Sequence, residues 1–191
     1  MNINRKKINI ILSLILSGTS LIASVAFAGG SKTLKKFSIP ENGVLELNVP
    51  TTWQAKVQTG QEKMPPTLVF RPARGDDFRV LITVLWSKTG NQHFNSPEKI
   101  RMLVEREGHT LLPKAVETKL IIQQMRGVHN IGYFFSLTDK APKPGEFLYM
   151  TRGAMTVGNL LLSATILYRV QDSESLKEAL TMLREAKQIL K

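Results

Sequence analysis

The side chains best suited to catalysis or metal binding are scattered along this 191-residue chain. Its three histidines, His93, His109 and His129, lie far apart and show none of the i, i+4 spacing that places two imidazoles on one helix face. The pair Asp76-Asp77 supplies two carboxylates suited to a hard cation, but Asp after Gly equally favours the turn of a hairpin loop. The spacing therefore predicts no metal site.

Candidate nucleophiles also lack partners. The chain has no cysteine, which excludes thiol catalysis, and it has no G-x-S-x-G, P-loop or G-x-G-x-x-G motif. Ser136 and Ser163 fall in predicted strands with no histidine expected beside them. A hydrolase would need two of the 15 acidic residues to converge through folding, and nothing in the sequence selects a pair. We predict no catalytic residue, no cofactor and no enzyme activity, with such a hydrolase as the least favoured alternative.

The N-terminus has the three parts of a secretory signal peptide. Basic residues at positions 5–7 precede an apolar run at 10–16, and small residues follow as far as Ala28. Ser, Gly and Thr interrupt the apolar stretch, which makes it too short for a membrane-spanning helix. We expect cleavage of residues 1–28, a single exported domain at 29–191 in the periplasm or outside the cell, and at most peripheral membrane association unless the leader is retained.

The charge balance is strongly basic, with 26 Lys+Arg against 15 Asp+Glu and a formal net charge of +11. Three of the basic residues belong to the leader, so most of this excess remains after cleavage. A positive surface favours anionic partners such as lipid headgroups, acidic polysaccharide or an acidic protein. Export makes nucleic acid an unsuitable partner.

Hydrophobic periodicity predicts four strands, a helix, four strands and a final helix. In the fourth strand both faces are largely apolar, which is typical of a mid-sheet strand covered on both sides. Gly158-Asn159 marks a two-residue hairpin turn. The predicted strands cover about 44–49, 53–57, 67–71, 78–87, 119–125, 131–138 and the two arms of that hairpin.

The hairpin turn fixes a register between its two arms. Small residues then collect at the middle of the ribbon, where they let an overlying helix approach closely. The predicted pairs are Val157 with Leu160, Met155 with Leu162, Ala154 with Ser163, Gly153 with Ala164, Thr151 with Ile166 and Tyr149 with Tyr168.

Two amphipathic helices complete the pattern. The first has Ser96 as N-cap, Pro97 at its first position and Gly108 just past its end. The second starts at Asp172 or Ser173 and carries one apolar stripe, formed by Leu176, Ala179, Leu180, Leu183, Ala186 and Leu190. Hairpin-length connections favour an antiparallel sheet, so the predicted fold is an α+β type α/β/α sandwich of about six to eight strands.

This order of elements, with "FSIPENGVLELNVPTTW" near the mature start and "SLKEALTMLREAKQIL" at the end, resembles the PsbP-like superfamily. The resemblance spans about residues 37–190, and its one landmark is the Val-Pro-x-x-Trp stretch at 49–53. It implies an accessory or binding module without catalysis, with a protein partner where one is known. DcrB-like exported members are lipoproteins, and this chain lacks the cysteine they use. The metal contacts proposed for plant PsbP carry over to no position here.

The connection from Asp139 to Glu146 is the candidate partner-contact loop. Its two prolines fix φ and remove two donors, so the tip is stiff and cannot extend the ladder. We expect two ammonium groups to point out from the loop, with a tyrosine nearby. The residues concerned are Lys140, Pro142, Lys143, Pro144 and Tyr149. An alternative is that Pro and Lys here protect a sheet border from aggregation.

The sequence thus predicts a non-enzymatic, exported accessory or binding protein of the cell envelope. Its partner is expected to be an envelope protein, engaged through the surface of the domain. A binder of anionic lipid or polysaccharide is the alternative, because of the basic surface.

Overall fold

The computed structural model describes residues 30–58, 64–91, 93–171 and 173–190, so the predicted leader and Asp172 lie outside the described residues. The helices are α1 (Pro97–Leu111) and α2 (Glu174–Arg184), and a short 3-10 turn spans Leu112–Lys114. Neither of these described helices is long and apolar enough to cross a bilayer. The strands are β1 (Lys32–Ser38), β2 (Val44–Pro50), β3 (Trp53–Gln58), β4 (Thr67–Pro72), β5 (Phe78–Trp86), β6 (Gln123–Arg126), β7 (Ile131–Thr138), β8 (Tyr149–Val157), β9 (Leu160–Tyr168) and β10 (Lys187–Ile189).

The strands form two antiparallel sheets. The larger has seven strands in the order β3-β4-β5-β9-β8-β7-β6, and the smaller has three in the order β1-β2-β10. The smaller sheet and α2 cover one side of the larger sheet, and α1 covers part of the other. The mostly antiparallel α/β/α sandwich predicted from the sequence is confirmed.

We call the side under α2 and the smaller sheet the first face. Every strand of the larger sheet contributes a buried or half-buried side chain to it, because alternate residues of each strand point the same way. Trp53 of the Val-Pro-x-x-Trp stretch packs here, with its ring centroid 4.5 Å from that of Phe78 and 6.5 Å from that of Phe70. This face holds the main core of the molecule.

The opposite side, the second face, is covered only in part. Ile100 and Val104 of α1 pack on Phe135 and Ala154, over β7 and β8. Leu81 of β5 stays half-buried on this face. The expectation that the fourth predicted strand is covered on both sides is met in part: Leu85 packs on the cluster under α1, but α1 does not extend over β3, β4 and the outer part of β5.

The predicted register of the β8–β9 hairpin is confirmed at every pair. Gly158 has φ +57°, the left-handed conformation that a two-residue hairpin turn requires. Gly153 and Ala164 lie opposite each other on the first face, under Leu180 and Leu183 of α2. The space left between α2 and the hairpin is an apolar cavity of about 10 Å³, so the helix does pack closely on the small residues.

The first helix differs from its prediction at one end. Ser96 caps α1 as expected, since its hydroxyl accepts a hydrogen bond from Lys99 N at 3.4 Å. The helix does not stop at Gly108, however, and continues to Leu111. Gly108 is a packing position: a Cβ there would lie 2.6 Å from Leu120 Cδ1, so glycine makes room for that side chain.

The last helix is shorter than predicted. It ends at Arg184, and the next residues form β10 on the free side of β2, which leaves Leu190 exposed. Ser173 stands at the N-cap position without a side-chain capping bond. Gln188 ties β10 down, because its amide nitrogen donates to Asn42 O at 2.8 Å and its amide oxygen accepts from Asn159 N at 2.7 Å.

Two strands also differ from the prediction. β1 was not predicted, and the strand expected at 119–125 covers only Gln123–Arg126. The preceding residues pair elsewhere: Ala115 forms a bridge with Asp139, and Val116 N donates to Thr138 O at 2.8 Å. The chain then bulges out over α1 before it rejoins the sheet as β6.

Candidate partner-contact loop

The loop between β7 and β8 (residues 139–148) is held in shape by its own polar groups. Asp139 N donates to Leu148 O at 2.9 Å and closes its base. Asp139 Oδ1 accepts from Ala141 N at 2.9 Å, and Glu146 Oε2 accepts from Lys143 N at 2.9 Å. The loop is therefore ordered by bonds that do not depend on a partner.

One flank of the loop is anchored to the chain that follows α1. Lys140 N donates to Lys114 O at 3.1 Å, and Lys140 Nζ turns back to donate to Pro113 O at 3.2 Å. The ammonium group of Lys140 thus lies along this flank, which differs from the expectation that it points outward. The cause is the Ala115–Asp139 bridge, which brings that segment beside the loop.

Glu117 strengthens the same flank. Its carboxylate accepts from Thr138 N at 2.9 Å and from Thr138 Oγ1 at 2.8 Å. Partial burial by itself raises the pKa of Glu117, but these bonds to the ionised form outweigh it and hold the pKa below the ordinary value. An ionised carboxylate therefore fixes the end of β7.

The other flank is clamped by Arg169, just after β9. Its guanidinium donates from Nη2 to Gly145 O at 2.9 Å and from Nη1 to Glu146 O at 2.8 Å. Its Nε donates to Asp76 O at 3.0 Å, and its Nη2 lies 3.7 Å from the Asp76 carboxylate. One side chain thereby joins the β7–β8 loop to the β4–β5 loop.

Phe147 completes this clamp from within the loop. The guanidinium carbon of Arg169 lies 4.7 Å from the centroid of the Phe147 ring, and that of Arg79 lies 5.6 Å from it. Arg79 also pairs with Asp76 at 3.3 Å. The Asp76 carboxylate, considered above for a cation, is therefore occupied by two guanidinium groups.

Tyr149 lies below the loop and stacks on Tyr168, with ring centroids 5.5 Å apart. A chain of hydroxyl groups continues from there. Tyr168 OH lies 3.1 Å from Thr151 Oγ1, which lies 2.7 Å from Ser136 Oγ. This chain runs from buried Thr151 to exposed Ser136. Because Tyr149 is half-buried and stacks on Tyr168, it forms part of a fixed support beneath the loop.

The exposed tip of the loop consists of Pro142, Lys143 and Pro144. Lys143 forms no ion pair with any carboxylate in the described part of the chain. Of the five residues predicted to make partner contacts, the structure thus places three at the tip, turns Lys140 to the flank and uses Tyr149 as support.

Groups that could perform chemistry stay apart. His93, His109 and His129 are exposed on three different elements, and no three His, Asp or Glu residues within the described ranges come close enough to hold a metal ion. Open grooves of about 580 and 470 Å³ each include one acidic side chain, Glu41 or Glu185. Neither groove brings two carboxylates together as a glycosidase does.

Sequence reasoning missed Arg169, the residue that shapes this site most. The predicted hairpin register supplied only half of the signal, because it pairs Tyr168 with Tyr149. The structure adds the pairing of Tyr168 with Phe78, so that Arg169, the residue after β9, emerges between the two loops that precede β8 and β5.

Comparison with solved structures supports the architecture. The chain is similar to cyanobacterial PsbP (CyanoP) from Synechocystis sp. PCC 6803, with 14% sequence identity, a TM-score of 0.54, and coverage of 88% of this chain and 99% of that chain. A protein from Bacteroides thetaiotaomicron matches with 14% identity and a TM-score of 0.43, over 82% of this chain and 49% of that one, which is too weak to support an argument. No family model matches the chain, and no curated protein matches it. At this identity the likeness shows the fold alone, and that fold is PsbP-like.

Proposed function

We propose that this protein is a non-enzymatic, exported accessory protein of the cell envelope, and that it binds a partner protein through the tip of the β7–β8 loop. The observation that carries the proposal is the Arg169 clamp, which holds an exposed tip of Pro142, Lys143 and Pro144 in one conformation. A preorganised loop loses little conformational entropy on binding. Recognition residues are commonly found on loops that a rigid scaffold positions in this way.

Two further points support this proposal. Lys143 offers an exposed ammonium group to an acidic partner surface. The PsbP-like fold is compatible with an accessory role, and the predicted leader would deliver the domain to the envelope.

The test is site-specific photocrosslinking in intact cells, with the crosslinking amino acid placed at position 143. A discrete adduct with one envelope protein is expected, and Lys143→Glu should abolish copurification of that protein. Lys99 serves as the matched control position, because it is an exposed lysine on α1, away from the loop. Adducts of equal yield from positions 143 and 99, or none from 143, would refute the assignment.

The second candidate function is binding of anionic lipid or polysaccharide, which is favoured by the excess of 26 Lys+Arg over 15 Asp+Glu. It predicts cosedimentation with phosphatidylglycerol vesicles or an acidic polymer at low salt and release at high salt. Binding that persists with Lys143→Glu and disappears with salt would favour this candidate over the first.

A further inference from the structure

β3 ends the seven-stranded sheet, and one side of its backbone is unpaired within the described residues. Ala73 N donates to Thr52 O at 2.9 Å, and the register then places the hydrogen-bonded pairs with β4 on the even-numbered residues of β3. The N–H and C=O groups of Ala55 and Val57 consequently point away from the sheet. These groups form a template for another strand.

Two other edge strands, β1 and β6, are better protected against pairing than β3. Three lysines, at positions 32, 35 and 36, lie along β1, the edge of the smaller sheet. At the far end of the larger sheet β6 is only four residues long. β3 has six residues with a single lysine, and the side chain of Val57 is 46% exposed. Charges and short length usually keep such edges from pairing, and β3 has little of either.

A groove opens at the C-terminal end of β3, on the side to which Val57 points, between the β1–β2 turn and the end of β5. It has a volume of about 580 Å³, and its apolar lining includes Val57, Met64, Pro66 and Trp86. In a strand added to β3, every second side chain would point to this side. An apolar side chain beside Val57 would lie at the mouth of this groove, and one beside Ala55 would extend the apolar side of the sheet.

The opposite side of the β3 edge is basic. Lys56 points there, and so does Arg71, which pairs with Gln54 in the ladder. Both side chains are exposed, and neither forms an ion pair with a carboxylate among the described residues. The intervening residues of an added strand would therefore face two cations.

We propose that the β3 edge binds an extended segment of a partner protein in which apolar residues alternate with Asp or Glu. The segment adds a strand to the sheet, with its apolar side chains beside Ala55 and Val57 as far as the groove and its acidic side chains over Lys56 and Arg71. Main-chain bonds to Ala55 and Val57 supply affinity, and the alternation supplies specificity. This surface is separate from the β7–β8 loop, so the inference does not depend on the function proposed for that loop.

The experiment is selection of a display library of about ten random residues, the length of a long strand, on the purified protein. Enriched peptides should alternate apolar and acidic residues. Labelled amide spectra should show the largest shifts at residues 54–58, and the amides of Ala55 and Val57 should become protected from exchange.

Two variants sharpen this test. Ala55→Pro removes one outward N–H donor without removing a bond to β4. It should lower the affinity for the selected peptides by roughly tenfold or more. Lys56→Glu should lower the affinity for these peptides similarly. This variant should instead bind peptides that carry Lys in place of Asp or Glu. Lys99→Glu, the matched charge control, should bind as the wild type does. Thermal unfolding checks that each variant is folded, and Lys56→Glu carries the test if Ala55→Pro is not.

Three outcomes would overturn the proposal. The first is a library without enrichment, or with enriched peptides that lack the alternation. The second is binding that neither Ala55→Pro nor Lys56→Glu changes. The third is a concentration-dependent dimer that Ala55→Pro dissolves, since that would assign the edge to a second copy of this chain.

Discussion

The two faces of the seven-stranded sheet are covered to different extents. All seven strands contribute buried or half-buried side chains to the first face, whereas α1 covers the second face mainly over β7 and β8. Most of the apolar area removed from water therefore lies on the first face, and most of the folding free energy should come from it. The second face and the β3 edge are less constrained, and they are where surface functions can be added at small cost to stability.

The largest expected effect comes from neighbouring residues of β4 that point to opposite faces. Phe70 is fully buried on the first face, beside Phe37 and Trp53, whereas Val69 is half-buried on the second. Phe70→Ala should lower the free energy of unfolding by about 3–5 kcal/mol through lost burial and the cavity left behind. Val69→Ala should lower it by about 1 kcal/mol or less. Denaturant unfolding measures both, and equal losses would contradict the comparison.

Two glycines, Gly153 and Gly108, test how tightly the structure packs at positions where another residue approaches the backbone closely. A Cβ at Gly153, on the first face, would lie 2.6 Å from Phe134 Cβ and would also meet the Tyr133 carbonyl, so Gly153→Ala should cost about 1–3 kcal/mol. A Cβ at Gly108, in α1, would meet only the end of the Leu120 side chain, which can rotate away.

Alanine also favours a helix over glycine by about 1 kcal/mol, so Gly108→Ala should change stability by less than Gly153→Ala does. Thermal unfolding of the two variants side by side gives the answer. A greater loss at Gly108 would mean that α1 and Leu120 pack more tightly than the strands do around Gly153.

Arg169 links two loops outside both cores. Arg169→Ala removes three hydrogen bonds to backbone carbonyls at a partly exposed site, for an expected loss of about 1–2 kcal/mol. Amide exchange should accelerate at Asp139, Lys143 and Glu146, whose N–H groups donate hydrogen bonds within the loop, while the first-face core keeps its protection. Lys143→Ala is the control within the same loop and should leave exchange unchanged. Uniform acceleration across the sheet would show that the clamp belongs to the core.

The smallest effects come from two glutamates whose pKa values shift in opposite directions. Burial, and then the charge of Glu174, raise the pKa of Glu178 despite a hydrogen bond from Trp53 and the charge of Lys32. Ionisation of Glu178 thus costs stability as pH rises from about 4.5 through its folded-state pKa. Glu178→Gln should be as stable as the wild type or slightly more stable at pH 7, and the difference should vanish in acid.

The pKa of Glu117 shifts in the opposite direction. Its lowered pKa means that the ionised form stabilises the fold above about pH 4.5 and that this contribution is lost as pH falls through the folded-state value. Glu117→Gln should therefore be less stable at pH 7, by less than about 1 kcal/mol since the site is partly exposed, and the gap should close in acid. Unfolding curves between pH 3 and 7 would show a gap of constant size if the bonds to Thr138 did not depend on charge.

The β8–β9 hairpin was predictable to the residue because a two-residue turn leaves one register in which the apolar residues of both arms share a face. The C-terminal helix was overextended for a related reason. Ala186 is buried and continues the apolar spacing, but pairing of β10 with β2 supplies hydrogen bonds that a periodicity analysis does not include.

β1 and Arg169 were beyond reach for different reasons. The sequence KTLKKFS has no clear alternation, because β1 is an edge strand with mostly exposed side chains. Arg169 acts on residues that are 23 to 93 positions away in the sequence, and only the folded chain brings those carbonyls together. The candidate loop was found because prolines act locally, whereas its clamp depends on tertiary structure.

In the three-stranded sheet, β2 has the first strand of the domain on one side and the last on the other. Gln188 then fastens that last strand to the turns after β1 and β8. Until β10 pairs, β2 is paired on one side only. The three-stranded sheet is thus closed by a contact between residues 146 positions apart, and the entropy of closing so long a loop makes this pairing a late step of folding.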